Sequence, residues 1–221
     1  MSKQIVIGFT TEGKTDIRFL ESIIQRSFEN VAFECSGQVE VLPVQYIEKQ
    51  NSDFVEVVKN CARQAESFGV MVLCIHADAD HASDTGAFNY KIIPAFTAVN
   101  QVETEHVCKN LVAIVPVQMT EAWMLSDKNL LKSEIGTNKS DVKLGIHRAP
   151  EVYSDPKQTI EVAIKLARQD LPRRRRRELT IEELYLPIGQ KIDLKKLENL
   201  TSYQKFKEAV RSAFKKLNYL Q

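Results

Sequence analysis

The hydrophobic run 70–75, with the sequence VMVLCI, is the feature that most restricts the fold of this chain. A short, continuous apolar run is typical of a central strand in a parallel sheet, where helices cover both faces. The run leads directly into the sequence HADADH, which carries Asp78 and Asp80. In open α/β sheets, ligands bind just beyond the carboxyl ends of the strands. The run therefore predicts both a fold class and the location of a site.

Strand-like and helix-like segments alternate through the first half of the chain. The hydrophobic periodicity predicts strands at 4–9, 39–47, 70–75 and 111–117, and amphipathic helices at 16–28 and 54–68. Pro43 indicates an edge or a bulge in the second strand. Another helix is predicted at 88–100, with an interruption at Pro94. This alternation predicts an α/β fold: a doubly wound, mainly parallel sheet of about four strands with helices on both faces.

The character of the sequence changes near Ser126. We expect a core at residues 1–127 and a mainly helical, basic C-terminal extension at 128–221, packed together as one compact unit. Residues 1–140 carry 18 acidic and 12 basic side chains, whereas residues 141–221 carry 11 acidic and 18 basic ones. This asymmetry fits a metal-dependent enzyme that acts on a polyanion. It is also compatible with two halves that attract each other or a partner protein.

Neither membrane insertion nor secretion is expected. No apolar run reaches the roughly 18–20 residues that span a bilayer, and the N-terminus lacks the cleavage site of a signal peptide. The four cysteines lie alone in separate segments, without the spacing of a zinc site or the density of a disulfide scaffold. These features predict a cytoplasmic protein with reduced, mostly buried thiols and no membrane partner.

Two pairs of carboxylates follow two of the predicted strands. Glu12 and Asp16 lie four residues apart across the turn into the first helix, and Asp78 and Asp80 are separated by one residue after the third strand. Alternation along an extended strand would place Asp78 and Asp80 on the same side. Such hard oxygen ligands suit Mg²⁺ or Mn²⁺, which bind phosphate oxygens and activate water. Glu12, Asp78 and Asp80 are the predicted catalytic residues and metal ligands, and Asp16 is a further predicted ligand.

This arrangement resembles a known family. A strand followed by Glu-Gly and a helix, and a later strand followed by Asp-x-Asp, resembles the Toprim domain of topoisomerases, primases and OLD-type nucleases. Glu12–Leu20 and Val115–Asp127, the latter containing T-E-A-W, are similar to the small Toprim-like proteins grouped as DUF4276. Asp155–Lys157 and Ser202–Leu217 also resemble that group, whereas His76 departs from its pattern. The resemblance implies a nuclease or nuclease-like effector that acts on DNA or RNA and works with a partner ATPase in phage defence.

A rival motif occupies the same place. Gly8–Thr15 matches G-x-x-x-x-G-K-[ST], the phosphate-binding P-loop of nucleotide-binding enzymes. In that hypothesis Asp78, which follows the strand 70–75, would serve as the Walker B acid. Against this hypothesis, Glu12 would place a carboxylate within an anion-binding loop, and Asp80 would have no role. In the carboxylate hypothesis, Lys14 binds a substrate phosphate. A third alternative is a non-catalytic partner subunit of an ATPase complex.

The remaining candidate residues each allow a functional and a structural interpretation. Glu121 would complete the metal site or cap its helix, where the preceding Thr120 fits an N-cap. His76 and His81 flank the acidic pair as accessory bases, metal ligands or polar neighbours. A run of arginines would bind the nucleic-acid backbone, or would form a solvated loop or a docking patch for an acidic partner. This run comprises Arg173, Arg174, Arg175, Arg176 and Arg177.

Overall fold

A computed structural model describes residues 3–50, 52–103, 106–170 and 179–221 of the chain. Four parallel strands form one sheet in the order β4 (Gln45–Tyr46), β2 (Ile7–Thr10), β5 (Val72–His76) and β6 (Leu111–Ile114). A second, two-stranded parallel sheet pairs β1 (Lys3–Ile5) with β3 (Val39–Val41). The prediction of an α/β fold with parallel strands is therefore confirmed, but the strands form two sheets rather than one.

Two of the predicted strands are divided in the structure. The segment 39–47 becomes β3 and β4 because Pro43, which has no N–H to donate, lies between them. The first predicted strand divides into β1 and β2 at Val6, whose carbonyl oxygen accepts hydrogen bonds from the Met71 amide at 2.9 Å and the Val72 amide at 3.3 Å. The strand therefore changes partner at Val6, from β3 to β5.

The helices surround the sheets. The helix predicted at 88–100 is irregular near Pro94: residues Phe88–Ile92 form a π-helical turn, and α-helical geometry begins at Ile93, beside the proline, which has no N–H to donate. Short 3₁₀ turns occupy Pro150–Val152 and Ile181–Glu183. The α-helices are α1 (Lys14–Ala32), α2 (Phe54–Ser67), α3 (Thr85–Ala87), α4 (Ile93–Asn100), α5 (Glu121–Met124), α6 (Lys128–Ile135), α7 (Asp141–Leu144), α8 (Pro156–Arg168), α9 (Tyr185–Lys191), α10 (Leu194–Leu197) and α11 (Thr201–Lys216).

Hydrophobic cores lie on both faces of the four-stranded sheet. On one face, α1 packs against α9, and α11 packs against β6. On the other face, α2 packs against α4. Trp123 is fully buried in the larger core, where its Nε1 donates to Ser202 Oγ at 2.8 Å. The described part of the C-terminal segment is therefore packed directly on the N-terminal strands and helices.

Candidate active site at the carboxyl edge of the sheet

The loops that follow β5 and β6 are joined to each other at one edge of the sheet. The Asp80 amide donates to the Gln118 carbonyl at 2.7 Å, and the Gln118 amide donates to the His81 carbonyl at 3.0 Å. Asp80 and Gln118 both have a left-handed backbone, with φ of 54° and 61°. Such conformations are uncommon outside glycine and concentrate at functional sites. The sequence predicts Asp78 and Asp80 on the same side because side chains alternate along a strand. β5 ends at His76, so both residues lie in a loop where that alternation does not hold.

His76 lies at the centre of an inner cluster of polar side chains. Its Nε2 atom lies 3.1 Å from Thr120 Oγ1 and 3.3 Å from Asp78 Oδ1. Its Nδ1 atom lies 3.4 Å from the Glu12 amide nitrogen and 3.9 Å from Asp16 Oδ2. The Thr120 amide also donates to Asp78 Oδ1, at 2.9 Å. Thr120 occupies the N-cap position of α5, as predicted, but its side chain makes no capping hydrogen bond and instead connects two strand ends.

The protonation of His76 depends on the acidic groups around it. Burial alone would lower the pKa of His76, but the hydrogen bond and charge of Asp78, together with the charges of Asp16 and Glu12, raise that pKa above its ordinary value. The contact with the Glu12 amide is the longest hydrogen bond of the ring, and it is lost when Nδ1 carries a proton.

Asp16 and Glu121 are buried carboxylates, with 7% and 6% of their surfaces exposed. The Asp16 side chain accepts a hydrogen bond from the Gly13 amide at 2.9 Å, and the Glu121 side chain accepts one from the Tyr185 hydroxyl. Within the described ranges, no lysine or arginine forms an ion pair with either residue. Burial raises the pKa of both carboxyl groups, and the charge of Asp78 raises each pKa further. Negative charge is thus concentrated in the inner cluster.

Glu12 and Asp80, the outer carboxylates of the site, share a lysine that the sequence analysis did not identify. Lys91 Nζ lies 2.9 Å from Glu12 Oε1, 3.4 Å from Asp80 Oδ2 and 3.5 Å from the Asp78 carbonyl oxygen. Burial would lower the pKa of Lys91, but the hydrogen bond and charge of Glu12, with those of Asp80, raise it. Glu12 and Asp80, which come from loops after different strands, therefore face the same point.

A second lysine, Lys49, contacts the main chain of Glu12. Lys49 Nζ donates to the Glu12 carbonyl oxygen at 2.5 Å and helps to line a cavity of about 230 Å³. Thr10, His76 and Phe54 also line this cavity. Glu12 also lines it, so the cavity adjoins the site at Glu12 and His76. Lys49 and Lys91 were both missed because each contacts a residue distant in the sequence.

The other predicted site residues occupy different positions. Lys14 is exposed at the first residue of α1, and His81 is exposed in the loop after β5. Neither has a described contact with the carboxylates. Glu121 lies in the first turn of α5 and is bonded to Tyr185, the first residue of α9. The predicted phosphate-binding run Arg173–Arg177 lies outside the described residues.

The side chains of the site are of the chemical kind that binds a hard divalent cation. Across the described ranges, no three His, Cys, Asp or Glu side chains already form a ready-made metal site. The available donors are carboxylate oxygens, which Mg²⁺ and Mn²⁺ prefer. Besides burial, the charge of Asp78 raises the pKa of Asp16, and the charges of Asp78 and Asp16 raise the pKa of Glu121, so a bound cation would offset this repulsion. Asp78 would join that inner group to the outer pair of Glu12 and Asp80.

The P-loop alternative requires a different geometry. Gly8 lies inside β2, paired with Gln45 and Leu73, rather than in a loop after the strand. Only the three residues 11–13 separate β2 from α1. The Glu12 and Gly13 amides, which a P-loop would direct at phosphate, donate to side chains instead. These contacts favour the carboxylate hypothesis over the nucleotide-binding one.

Comparisons of the chain with protein-family models, with curated proteins and with solved structures found no match. In the described part of the chain, none of the helices has the length and apolar character needed to cross a membrane. Because no comparison gave a match, the arrangement of the site residues is what bears on the function of this chain.

Proposed function

We propose that this chain is a Toprim-like phosphodiester hydrolase that uses Mg²⁺ or Mn²⁺ to act on nucleic acid. The observation that carries the proposal is the gathering of Glu12, Asp16, Asp78, Asp80 and Glu121 beyond the carboxyl ends of three neighbouring strands. Two of these carboxylates, Asp16 and Glu121, are buried, and the charge of Asp78 adds to the effect of burial in raising the pKa of each. A bound cation would neutralise this concentration of acidic groups.

The residues divide into roles according to their contacts. Asp78 and Asp80 would hold the metal, with Glu12 as a ligand or general base and with Asp16 and Glu121 as supporting ligands. The cation supplies Lewis acidity toward a phosphate oxygen and lowers the pKa of a bound water. His76 and Thr120 position the Asp78 carboxylate through contacts at 3.3 and 2.9 Å. Lys14 and the basic C-terminal segment with Arg173–Arg177 would bind the phosphate backbone of DNA or RNA.

The resemblance to the DUF4276 group extends the proposal to a partner. On this basis, the chain would act as a cytoplasmic effector together with an ATPase in phage defence. The competing proposal within the same setting is a non-catalytic subunit of the ATPase complex. It differs from the main proposal in one measurable respect, because it requires binding to the ATPase without hydrolysis of nucleic acid.

Cleavage and metal binding together test the proposal. Single- and double-stranded DNA and RNA would be incubated with the purified chain in Mg²⁺, Mn²⁺ or EDTA, and Mn²⁺ binding would be followed by electron paramagnetic resonance. We expect metal-dependent cleavage that Asp78→Asn lowers at least about 100-fold, since even the outer-shell partners of metal ligands typically contribute 10- to 100-fold. The matched control is Asp170→Asn, because the Asp170 side chain is 72% exposed and its described ion pair is with Lys139, outside the proposed site.

The outcomes separate the competing functions. Loss of cleavage and of Mn²⁺ binding in Asp78→Asn, with normal behaviour of Asp170→Asn, supports the hydrolase. Mn²⁺ binding without any cleavage, even with the partner ATPase present, supports the non-catalytic subunit. Cleavage that persists in EDTA, or a wild-type chain that neither binds Mn²⁺ nor cleaves, contradicts the metal-dependent mechanism.

A further inference from the structure

The position of Lys91 is built into the fold. It lies in the π-helical turn Phe88–Ile92, between α3 and α4. A π-helical turn contains one more residue than an α-helical turn, and such insertions are frequent at functional sites. The turn directs the Lys91 ammonium to the outer carboxylates, 79 residues along the chain from Glu12. The lysine therefore reaches the site through a specific departure from regular helix geometry.

The oxygen atoms around the Lys91 ammonium are of the kind that a divalent metal would use. They belong to the Glu12 and Asp80 carboxylates and to the Asp78 main chain, at 2.9, 3.4 and 3.5 Å from Nζ. Carboxylate and carbonyl oxygens are the common ligands of hard divalent cations. The ammonium thus already occupies a cation-binding position among the proposed ligands.

The Lys91 contacts are also weak enough to be exchanged. The Lys91 side chain is 32% exposed, and the side chains of Glu12 and Asp80 are 33% and 67% exposed. Ion pairs with this degree of exposure contribute little to stability because water screens them. A divalent cation carries twice the charge of an ammonium and binds several oxygens at once, so it would displace the lysine from the carboxylates.

We infer that Lys91 is an intrinsic counter-cation that occupies the outer carboxylates until a divalent metal replaces it. This inference rests on the proposed metal site and adds a regulatory element to it. The lysine keeps Glu12 and Asp80 together in the metal-free protein and competes with the metal for them. A metal ion must displace Lys91 in order to bind, so the measured metal affinity is lower than the affinity that the carboxylates would have without the lysine.

Mn²⁺ affinity measured by electron paramagnetic resonance tests this inference in the full-length chain. Lys91→Met removes the charge while keeping an unbranched side chain, and Lys91→Gln is a second variant that keeps polarity. Both should bind Mn²⁺ about 1.5- to fivefold more tightly than the wild type, as expected for removing a competing, partly exposed ion pair. Lys205→Met is the matched control, because Lys205 pairs with Asp84 in the same loop region but contacts no proposed ligand. Its Mn²⁺ affinity should equal that of the wild type.

Each result leads to a different conclusion. Tighter Mn²⁺ binding by both Lys91 variants, but not by Lys205→Met, supports the exchange. Equal or weaker Mn²⁺ binding by the Lys91 variants overturns the exchange and leaves the metal-dependent function intact. Absence of Mn²⁺ binding in the wild type and in every variant overturns the proposed metal site itself. Thermal unfolding in EDTA checks that each variant is folded before its affinity is compared.

Discussion

Replacing Glu121 by glutamine should stabilise the metal-free protein above the pKa of this carboxyl group. Burial raises the pKa of Glu121 in the folded chain, so the charged form is disfavoured there relative to the unfolded chain. The destabilisation is fully present above the folded-state pKa, diminishes as the pH falls through it, and disappears below the unfolded-state pKa. Glutamine resembles the neutral acid at every pH and still offers an oxygen to the Tyr185 hydroxyl.

The size of the effect follows from two opposing contributions. A buried ion loses several kcal/mol of hydration, and Glu121 is only 6% exposed. The hydrogen bond from Tyr185 to a charged acceptor returns about 1.5–3 kcal/mol, whereas a neutral acceptor returns about 1 kcal/mol. We therefore expect Glu121→Gln to gain about 1–2 kcal/mol at about pH 8. For a chain of this size, that gain corresponds to a rise in Tm of about 2–8 °C.

Thermal unfolding in EDTA between about pH 4 and pH 8 measures this difference. Glu34→Gln is the control of opposite sign, because the hydrogen bond from Arg211 lowers the pKa of Glu34. Glu34→Gln should lower Tm at neutral pH, and this effect should diminish as the pH falls toward the depressed pKa of Glu34. Saturating Mn²⁺ should stabilise the wild type more than Glu121→Gln. A Glu121→Gln protein that melts below the wild type at about pH 8, or whose advantage persists at the lowest pH, would refute the reasoning.

Two further predictions concern packing and thiol chemistry. An added Cβ at Gly189 would lie 2.4 Å from the Phe19 carbonyl oxygen, so Gly189→Ala should lower the free energy of unfolding in urea by about 1–3 kcal/mol. At Gly86 the added Cβ meets nothing within 4 Å, so Gly86→Ala should be neutral or stabilising in the same titration. Only Cys35 should react quickly with a thiol reagent in the native protein at about pH 8, because the other three cysteines are buried and burial raises the pKa of Cys108 to about 11. Rapid reaction of more than one thiol before denaturation would contradict the described burial.

The fold class was predictable because periodicity reports burial directly. The apolar run 70–75 is buried on both faces, as a central parallel strand must be, and the Phe54–Ser67 helix begins and ends within a residue of its predicted bounds. The strand boundaries were less predictable. The exchange of partners at Val6 depends on which strands lie beside it, and its apolar sequence gives no sign of the change.

The proximity of the site residues was only partly visible in the sequence. Asp78 and Glu12 follow buried strands, so their location at one sheet edge follows from topology. Lys91 and Tyr185 reach the site from residues 79 and 64 positions away from their partners. No local pattern marks such contacts. The left-handed backbone at Asp80 was equally hidden, because an aspartate there carries no glycine-like signal.

The two groups of carboxylates manage their mutual repulsion in different ways. The inner carboxylates of Asp16 and Glu121 are buried, hydrogen-bonded and without a described lysine or arginine partner, so protonation is their means of losing charge. The outer carboxylates of Glu12 and Asp80 are partly exposed and share the Lys91 ammonium. A cation that binds at their boundary, beside Asp78, would therefore release a lysine from one group and protons from the other. Metal binding at this site should accordingly depend on pH through the inner group and on Lys91 through the outer group, and the two effects should be separable by the Glu121 and Lys91 variants.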